Sequence, residues 1–359
     1  MRSALAAVFD GHARRLTMQE LPVPEPRVGE MLVRVLGCTL CGSDLHSFAG
    51  RRKVPVPTIL GHEIVGEIAA LGDAAPLADL AGEAIRIGDR VTWAIVANCG
   101  ECFYCQRGLP QKCERGVKYG HEPFAPGREL SGGLAEHCLL VAGTQVVRLP
   151  DELPLEAACP ASCATATIVA ALEAAGDLRD RTVVVLGAGM LGLTACAMAS
   201  VRGATEVIAV DLRAERRTLA CMFGATLAVT LDALPEAVAR VTGGHGADVL
   251  LELTGSPAVF QAALPLARLG GKTVLVGAVF PAAPVPLALD QIVRRNLSVL
   301  GVHNYAPSHL LAAVRFLTDT RRRFPWAQLV GEWYPLSEAV EAFLAASSTA
   351  PIRVGVRPV

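Results

Sequence analysis

One segment constrains the fold of this 359-residue chain more than any other: Thr182–Gly192, which reads TVVVLGAGMLG. Four β-branched residues and a leucine lead into three glycines spaced G-x-G-x-x-G. The pattern predicts a buried strand over Thr182–Leu186, a tight turn, and a helix from about Met190. Such a turn lets the backbone approach a pyrophosphate, and the free N–H groups of the helix start bind the anion. The residues predicted to contact a dinucleotide here are Gly187, Gly189, Met190, Leu191 and Gly192.

An acidic residue in the expected place supports this interpretation. Asp211 follows the next predicted strand, Glu206–Val210. An acid there accepts the hydroxyls of the adenosine ribose and repels a 2′-phosphate, so NAD is expected rather than NADP. Arg213 and Arg216 lie close by, and Arg216 is predicted to contact the cofactor and weaken that preference. The alternative is a packing turn beside an ordinary surface aspartate.

Hydrophobic periodicity divides the chain into regions. Before residue 150, short β-rich segments such as Met31–Val35 and Ile64–Ile68 alternate with Gly/Pro turns, which predicts an irregular, mostly antiparallel β domain. From about 160 to 300, strands alternate with Ala-rich helical segments, as in a doubly wound parallel sheet. A helix (Leu336–Ala346) and a strand (Ile352–Arg357) near the C-terminus are expected to return to the first domain. The predicted boundaries are residues 1–158, 159–301 and 302–359.

Composition and charge exclude several classes of partner. Lys and Arg number 33 against 34 Asp and Glu, a formal charge of −1, so neither nucleic acid nor a membrane is an expected partner. The uncharged stretch Thr182–Val201 is long enough to cross a bilayer, but its three glycines and its strand pattern favour the dinucleotide turn. Residues Met1–Arg15 show no signal-peptide pattern, so we expect a cytoplasmic protein.

Eleven cysteines are the unusual feature of the composition. In a reducing compartment, clustered cysteines favour metal binding over disulfides. Four of them form a C-x-x-C-x-x-C-x7-C pattern in a lobe of about residues 98–115: Cys99, Cys102, Cys105 and Cys113. Four thiolates in one loop predict a closed tetrahedral zinc site, although an iron–sulfur cluster takes the same ligands. A zinc module that reads DNA is not favoured, because acidic and basic residues are mixed in this loop.

Three further candidate ligands, Cys41, His62 and Cys163, are dispersed along the chain. Three nitrogen or sulfur ligands leave a fourth zinc position open, as in a catalytic site. Taken singly, each cysteine is more often a small buried hydrophobe, and the histidine more often a structural one. The remaining five cysteines are expected to be buried hydrophobes: Cys38, Cys138, Cys159, Cys196 and Cys221.

In combination, these residues resemble the zinc-dependent medium-chain alcohol dehydrogenases. The resemblance covers nearly the whole chain and rests on Cys41–His46 (CGSDLH), Gly61–Glu63, the four-cysteine lobe, Gly88–Val91 (GDRV) and the glycine turn with Asp211. It implies an α/β protein, with a GroES-like, mostly β catalytic domain formed by both chain ends around a Rossmann domain, and an active site in the cleft between them. It also implies two zinc ions per chain, NAD, a small alcohol or aldehyde substrate, and a homodimer or homotetramer.

The resemblance also assigns the metal ligands. Cys41, His62 and Cys163 would hold a catalytic zinc, with Glu63 next to it as a neighbouring or transient ligand. The four-cysteine lobe would hold a structural zinc. Some polyol-dehydrogenase-like members have Glu at the third position, and Glu156 and Cys159 therefore compete with Cys163 for it.

Four more residues receive roles from the resemblance. Ser43 would accept the proton of the alcohol and His46, whose ordinary pKa is about 6.5, would pass it to solvent. Asp44 would orient His62 through its second ring nitrogen. Thr167 would lie against the nicotinamide. The alternative for His46 is an exposed loop histidine.

The substrate is the least constrained property. The chain resembles the phosphonate-catabolism-associated branch of the family in Gly108–Cys113, in Lys118–Glu122 and in the extended stretch Asp73–Arg86. The consecutive cations Arg51–Lys53 lie between two ligand segments and either hold an anionic substrate group or, as is more common for a run of charges, form a solvated loop. A zinc polyol or threonine dehydrogenase-like enzyme is the alternative. A nucleotide-binding relative without catalysis is disfavoured, because it has no need of the complete residue set.

Overall fold

The computed structural model describes residues 2–348 and 351–358 in two compact units. The first unit comprises the chain up to Ala166, the segment Ala306–Arg322 and the chain from Trp326 onward. The second comprises Thr167–Tyr305 and Arg323–Pro325. The chain first passes from one unit to the other after Ala166, within a helix. Residues 159–166 therefore belong to the first unit, whereas the boundary predicted from sequence lies between residues 158 and 159.

The N-terminal part of the first unit is built from short strands. They are β1 (Ser3–Phe9), β2 (Thr17–Pro22), β3 (Met31–Thr39), β4 (Thr58–Ile59), β5 (Glu63–Leu71), β6 (Arg90–Trp93), β7 (Val96–Ala97), β8 (Val117–Lys118), β9 (His137–Leu140) and β10 (Val146–Arg148). Two α-helices occur here, α1 (Gly42–Phe48) and α2 (Leu155–Ala158), with 3-10 turns at Cys105–Arg107, Pro110–Lys112 and Cys159–Ser162. Strands β2, β1 and β4 form one sheet, and β7 pairs with β8.

The second unit is the predicted parallel sheet. Its strands are β11 (Thr182–Leu186), β12 (Glu206–Val210), β13 (Leu227–Val229), β14 (Ala247–Glu252), β15 (Ala267–Leu275) and β16 (Ser298–Gly301). Its helices are α3 (Ala164–Ala175), which begins in the first unit, α4 (Met190–Val201), α5 (Ala214–Met222), α6 (Leu234–Thr242), α7 (Pro257–Ala263) and α8 (Leu289–Arg294), and a 3-10 turn covers Leu264–Leu266. The strand order is β13-β12-β11-β14-β15-β16 with parallel pairing throughout, which is the Rossmann order. Every residue of β11 is buried, as its continuous apolar sequence requires in a sheet covered on both faces.

The C-terminal segment completes the first unit. It contains α9 (Pro307–Thr320), 3-10 turns at Trp326–Leu329 and Leu336–Glu338, β17 (Val330–Pro335), α10 (Ala339–Ser347) and β18 (Arg353–Arg357). The helix expected from Leu336 therefore starts as a 3-10 turn. Strand β18 pairs with β3, which extends a seven-stranded sheet in the order β10-β6-β5-β3-β18-β17, with β9 also on β3. The rings of Phe48 and Phe343 stack with centroids 4.3 Å apart and so join α1 to α10.

The apolar stretch Thr182–Val201 forms β11 and α4 and not one long helix. Within the described residues, no single helix has the length and apolarity to span a membrane, and one bent pair, Leu155–Ser162 with Ala164–Ala175, meets those criteria jointly.

Candidate active site and metal centres

Strand pairing brings the first two dispersed ligands together. Strands β3 and β5 are antiparallel with Thr39 opposite Glu63, so Cys41, just after β3, lies beside His62, just before β5. Cys163 follows a 3-10 turn whose Ser162 hydroxyl donates to the backbone carbonyl of His62 at 3.3 Å. The ligand atoms of Cys41, His62 and Cys163 all lie within 4.8 Å of one another. The structure thus brings together three residues of which Cys163 is more than a hundred positions from the other two in the sequence.

Asp44 fixes the orientation of His62. Its Oδ1 lies 3.1 Å from His62 Nδ1, and because a carboxylate only accepts, Nδ1 carries the proton and the lone pair of Nε2 remains for a metal. The same buried carboxylate accepts the backbone N–H groups of Cys41 (3.0 Å) and Gly61 (3.1 Å). Burial disfavours the charged ring, but the Asp44 carboxylate and the Cys41 thiolate outweigh it and raise the pKa of His62 to about 10. Metal binding here therefore displaces a proton.

The ion pair between Arg353 and Glu63 stabilises the thiolate form of Cys41. The Cys163 thiol as hydrogen-bond donor, followed by the charge of Arg353, holds the pKa of Cys41 well below its ordinary value. Arg353 also donates to both oxygens of Glu63 at 2.9 and 3.0 Å, and Thr39 donates to Glu63 at 2.6 Å. Burial raises the pKa of Glu63 despite the guanidinium. Glu63 is thus held beside the ligands by its own partners, and its role as a transient ligand stays a prediction.

The two competitors of Cys163 have other partners. Glu156 accepts from Trp333 Nε1 at 2.9 Å, and the Cys159 thiol donates to the carbonyl of Gly37 at 3.4 Å. Neither belongs to the group of ligand atoms around Cys41 and His62. The geometry therefore favours Cys163 as the third ligand.

The sulfur spacings test whether zinc fits both places. Tetrahedral bonds of about 2.3 Å put any two sulfur ligands about 3.8 Å apart, whereas a disulfide needs about 2.05 Å. Cys41 and Cys163 have their Sγ atoms 3.9 Å apart. In the four-cysteine lobe the Sγ separations are 4.0 Å (Cys99–Cys105), 3.9 Å (Cys102–Cys113) and 3.5 Å (Cys99–Cys113). These separations fit a single metal ion at each of the two sites. A multi-iron cluster does not fit the lobe, because its iron and sulfide atoms would hold the cysteine sulfurs farther apart.

Backbone N–H groups in the four-cysteine lobe donate to the cysteine sulfurs and stabilise their thiolate form. The N–H group of Glu101, with that of Cys102, lowers the pKa of Cys99 to about 6. The N–H of Cys99 itself donates to the sulfur of Cys113 at 3.3 Å. These donors stabilise negative sulfur, the form that binds zinc.

The second unit carries the predicted nucleotide turn. Gly187, with φ of +98°, directly follows β11, and α4 begins at Met190, where the first N–H groups of a helix have no partner within that helix. A Cβ on Gly192 would lie 1.8 Å from the carbonyl oxygen of Gly187, so only glycine permits this packing. Asp211 Oδ2 accepts the N–H of Ala188 at 2.9 Å, which joins the acid to the turn.

The other residues predicted to contact the cofactor lie in the same unit. Arg216 Nη1 lies 4.0 Å from Asp211 Oδ2, and Leu191 is half-buried in α4. Thr167 is half-buried in α3, and its position against the nicotinamide stays a prediction.

The two residues of the predicted proton path lie on α1. The Ser43 hydroxyl is 3.4 Å from Nε2 of His62, next to the ligand position. His46 Nδ1 accepts from Arg51 Nε at 3.1 Å, and because arginine only donates, the neutral ring has its proton on Nε2. Partial burial, with the charges of Arg51 and Arg52, lowers the pKa of His46.

Some expectations need correction or extension. Cys221 is exposed and not buried, because only Ala220 of α5 faces the core. Of the consecutive cations, Arg51 and Lys53 are exposed and Arg52 is half-buried. Sequence reasoning missed Arg353, which is 290 residues from Glu63.

Sequence reasoning also missed His121. The centroid of its ring lies 5.1 Å from that of His62, and its Nε2 accepts a hydrogen bond from Arg52 at 2.7 Å. The quoted segment Lys118–Glu122 contained this histidine, but nothing in its spacing indicated its partner.

A Rossmann sheet with a nucleotide turn, joined in one chain to a β unit with a three-ligand metal centre, defines a metal- and nucleotide-dependent oxidoreductase. Comparison with known proteins agrees: the family model for the alcohol dehydrogenase GroES-like domain matches residues 27–151, and that for zinc-binding dehydrogenases matches residues 191–319. The chain belongs to the zinc-dependent alcohol dehydrogenase family.

Individual relatives cover nearly the whole chain. It is 31% identical to 5-exo-hydroxycamphor dehydrogenase from Pseudomonas putida over 95% of both chains. It is 34% identical to an alcohol dehydrogenase from Geobacillus stearothermophilus, over 88% of this chain and 89% of that protein. The crystal structure of an alcohol dehydrogenase from Thermotoga maritima superposes with a TM-score of 0.94 at 29% identity, over 100% of both chains. The GroES-like and Rossmann architecture predicted from sequence is confirmed, and the narrower phosphonate branch stays a prediction.

Proposed function

We propose that this protein interconverts small alcohols and the corresponding aldehydes or ketones, with NAD as hydride carrier and zinc as catalytic metal. The observation that carries the proposal is the convergence of Cys41, His62 and Cys163, with Asp44 fixing the tautomer of His62. These three residues would hold the catalytic zinc, and the four-cysteine lobe would hold the structural one. When bound, zinc supplies Lewis acidity that lowers the pKa of a substrate alcohol. NAD, held at the glycine turn beside Asp211, would supply the hydride acceptor for the carbinol carbon.

The chain's own residues move the remaining proton. Ser43, whose hydroxyl lies beside His62 Nε2, accepts the proton of the substrate hydroxyl and donates its own onward. His46 receives a proton on Nδ1, the ring atom that Arg51 occupies in the structure. Arg51 must therefore release this nitrogen when His46 becomes charged, and its charge keeps His46 neutral and ready to accept.

The finer proposal is that the substrate carries a phosphonate group. It is supported by the resemblance of Gly108–Cys113 and Lys118–Glu122 to the phosphonate-catabolism-associated branch. A polyol or a threonine-like amino alcohol is the alternative substrate class.

An assay of NADH formation tests the proposal. Zinc-loaded protein is mixed with NAD and a panel of 2-hydroxyethylphosphonate, simple primary alcohols, polyols and L-threonine. We expect zinc-dependent NADH formation with at least one class and at least a thousandfold loss in Cys41→Ala, a figure of the order seen when an essential catalytic group is removed. Cys221→Ser is the matched control, because Cys221 is exposed and outside both ligand groups. If no substrate is oxidised, or if Cys41→Ala keeps full activity, the proposal is wrong.

We also propose that the protein is a homo-oligomer that associates through the edge of the Rossmann sheet. Strand β16 is the last strand of that sheet, and among the described residues it pairs with β15 alone. Leu289 and Val293 on the adjacent α8 are 73% and 74% exposed, which is unusual for large apolar side chains of a monomer. Size-exclusion chromatography with light scattering of the protein and of Val293→Glu tests this. A dimer or tetramer that the variant dissociates supports the proposal, and a monomeric parent protein contradicts it.

A further inference from the structure

Two cationic side chains near the proposed catalytic ligands form no ion pair with an acidic side chain among the residues that the structure describes. Arg52 and Lys118 are both partly withdrawn from water. In the described parts of the chain, neither side chain makes an ion pair with a carboxylate, and the nearby Glu122 accepts the backbone N–H of Lys118 at 2.7 Å. We infer that Arg52 and Lys118 form an anion subsite, which selects alcohols or aldehydes bearing a carboxylate, phosphonate or phosphate group. The inference rests on the proposed function and names its substrate class.

His121 positions Arg52. Arginine only donates, so Nε2 of His121 must accept from the guanidinium, and Nδ1 then carries the proton that it donates to the carbonyl of Tyr119 at 2.9 Å. His121 is therefore a neutral acceptor that orients the guanidinium and adds no counter-charge to it.

A tight turn joins the backbone of Lys118 to that of His121. Strand β8 pairs Lys118 with Val96, and the N–H of His121 donates back to the carbonyl of Lys118 at 3.1 Å. Gly120 makes the close approach possible: its φ is +74°, and a Cβ there would lie 2.6 Å from the carbonyl oxygen of Gly61, next to His62. The backbone of Lys118 therefore lies next to His121, whose ring contacts Arg52 and packs near the ring of His62.

The ligand set does not neutralise these two cations. Two thiolates offset the charge of one zinc ion, and a neutral imidazole adds none. Partial burial of unpaired like charges is unfavourable, so a bound anion stabilises the site. A carboxylate or a tetrahedral oxyanion suits a guanidinium fork beside an ammonium point charge. Of the three consecutive cations, only Arg52 takes part, since Lys53 is exposed and Arg51 binds His46.

The test compares substrates that differ only in charge. The pairs are 2-hydroxyethylphosphonate with its neutral dimethyl ester, and 3-hydroxypropanoate with 3-hydroxypropanamide, each assayed with NAD and zinc-loaded enzyme. We expect the parent protein to prefer the anionic member. Arg52→Met and Lys118→Met should each lower the anionic-to-neutral ratio of kcat/KM by about tenfold or more, since a hydrogen bond to a charged group contributes on this scale. Arg52→Lys and Lys118→Arg should recover part of the ratio, and Lys53→Met, the exposed control, should leave it within about twofold.

A uniform effect would overturn the inference. If both variants slow the two members of a pair equally, the cations promote alcohol ionisation in general and do not select an anion. A parent enzyme that oxidises neutral alcohols without preferring the anionic ones removes the subsite and leaves the proposed function intact.

If no alcohol is oxidised, the proposed function fails, and binding still decides the subsite. Methylphosphonate is titrated into zinc-loaded protein and into the variant carrying both Arg52→Met and Lys118→Met, with its phosphorus NMR signal as readout. Binding that the double variant weakens about tenfold supports the subsite. Equal or absent binding refutes it.

Discussion

The ion pair between Arg353 and Glu63 gives the sharpest stability prediction. Its side chains are 11% and 0% exposed, and its two bonds measure 2.9 and 3.0 Å. Arg353→Met leaves the Glu63 carboxylate buried with the Thr39 hydroxyl as its remaining donor among these contacts. Breaking a buried pair from one side costs about 3–5 kcal/mol. The folding equilibrium constant of this unit should therefore fall more than about a hundredfold.

The same two strands provide a matched control. Arg34 on β3 pairs with Glu67 on β5 at 3.0 Å, but these side chains are 50% and 35% exposed. An exposed pair contributes about 0.2–1 kcal/mol, so Arg34→Met should be nearly neutral. Adding Glu63→Gln to Arg353→Met should recover much of the loss, because the neutral amide still accepts from Thr39 and no charge stays buried.

Urea unfolding followed by tryptophan fluorescence measures this unit alone. All three tryptophans of the chain, Trp93, Trp326 and Trp333, belong to the first unit. Measurements in excess zinc keep metal occupancy equal among the variants. A loss in Arg353→Met no larger than in Arg34→Met would refute the reasoning.

The sign of the pH dependence provides a second check on the same variant. Burial already raises the pKa of Glu63, and Arg353 opposes that rise, so its removal raises the pKa further. A carboxyl group with a higher pKa folded than unfolded takes up a proton on folding, and its stabilisation is lost as pH rises through the folded pKa. The stability gap between Arg353→Met and the parent protein should therefore widen from acidic to neutral pH.

Three other predictions concern the cofactors and the proton path. Asp211→Asn keeps an acceptor for Ala188 but removes the charge that repels a 2′-phosphate, so the NADP-to-NAD ratio of kcat/KM should rise about tenfold or more; an unchanged ratio assigns the preference elsewhere. Cys113→Ser should remove about one zinc ion per chain in elemental analysis, because it breaks a four-sulfur set; retention of both ions contradicts the lobe assignment. Arg51→Met should move the acidic limb of kcat/KM for alcohol oxidation to higher pH, because the charge of Arg51 lowers the pKa of His46; a limb that does not move excludes His46 as the acceptor.

The second unit was the most predictable part of the fold, because its signals are local. Buried parallel strands are continuous apolar runs, and the predicted limits of β11 and β12 are those observed. The three glycines and Asp211 lie within one strand–helix–strand unit, so their spacing in sequence reflects their spacing in the fold. The strands of the first unit were predicted as pieces, since β3 and β5 extend beyond the apolar segments that indicated them.

The contacts that sequence did not reveal join distant parts of the chain. Arg353 reaches Glu63 because β18 pairs with β3, an antiparallel partnership between the chain's two ends that no local pattern encodes. The contact of Arg52 with His121 spans 69 residues and depends on the turn that Gly120 permits. The exposure of Cys221 depends on which face of α5 meets the sheet, and a helix with little apolar content does not indicate that face.

A formal charge of −1 conceals how charge is arranged around the catalytic ligands. The Glu63 carboxylate is matched by Arg353, and the Asp44 carboxylate is engaged by the His62 ring and two backbone N–H groups. Counting Asp44 against Arg52 and Lys118 still leaves one positive charge beside a zinc centre that is neutral with its two thiolates. A neutral alcohol leaves that charge unmatched, whereas an alcohol with an anionic group pairs it. The proposed preference for an anionic substrate thus rests on local pairing, which the nearly balanced total charge does not show.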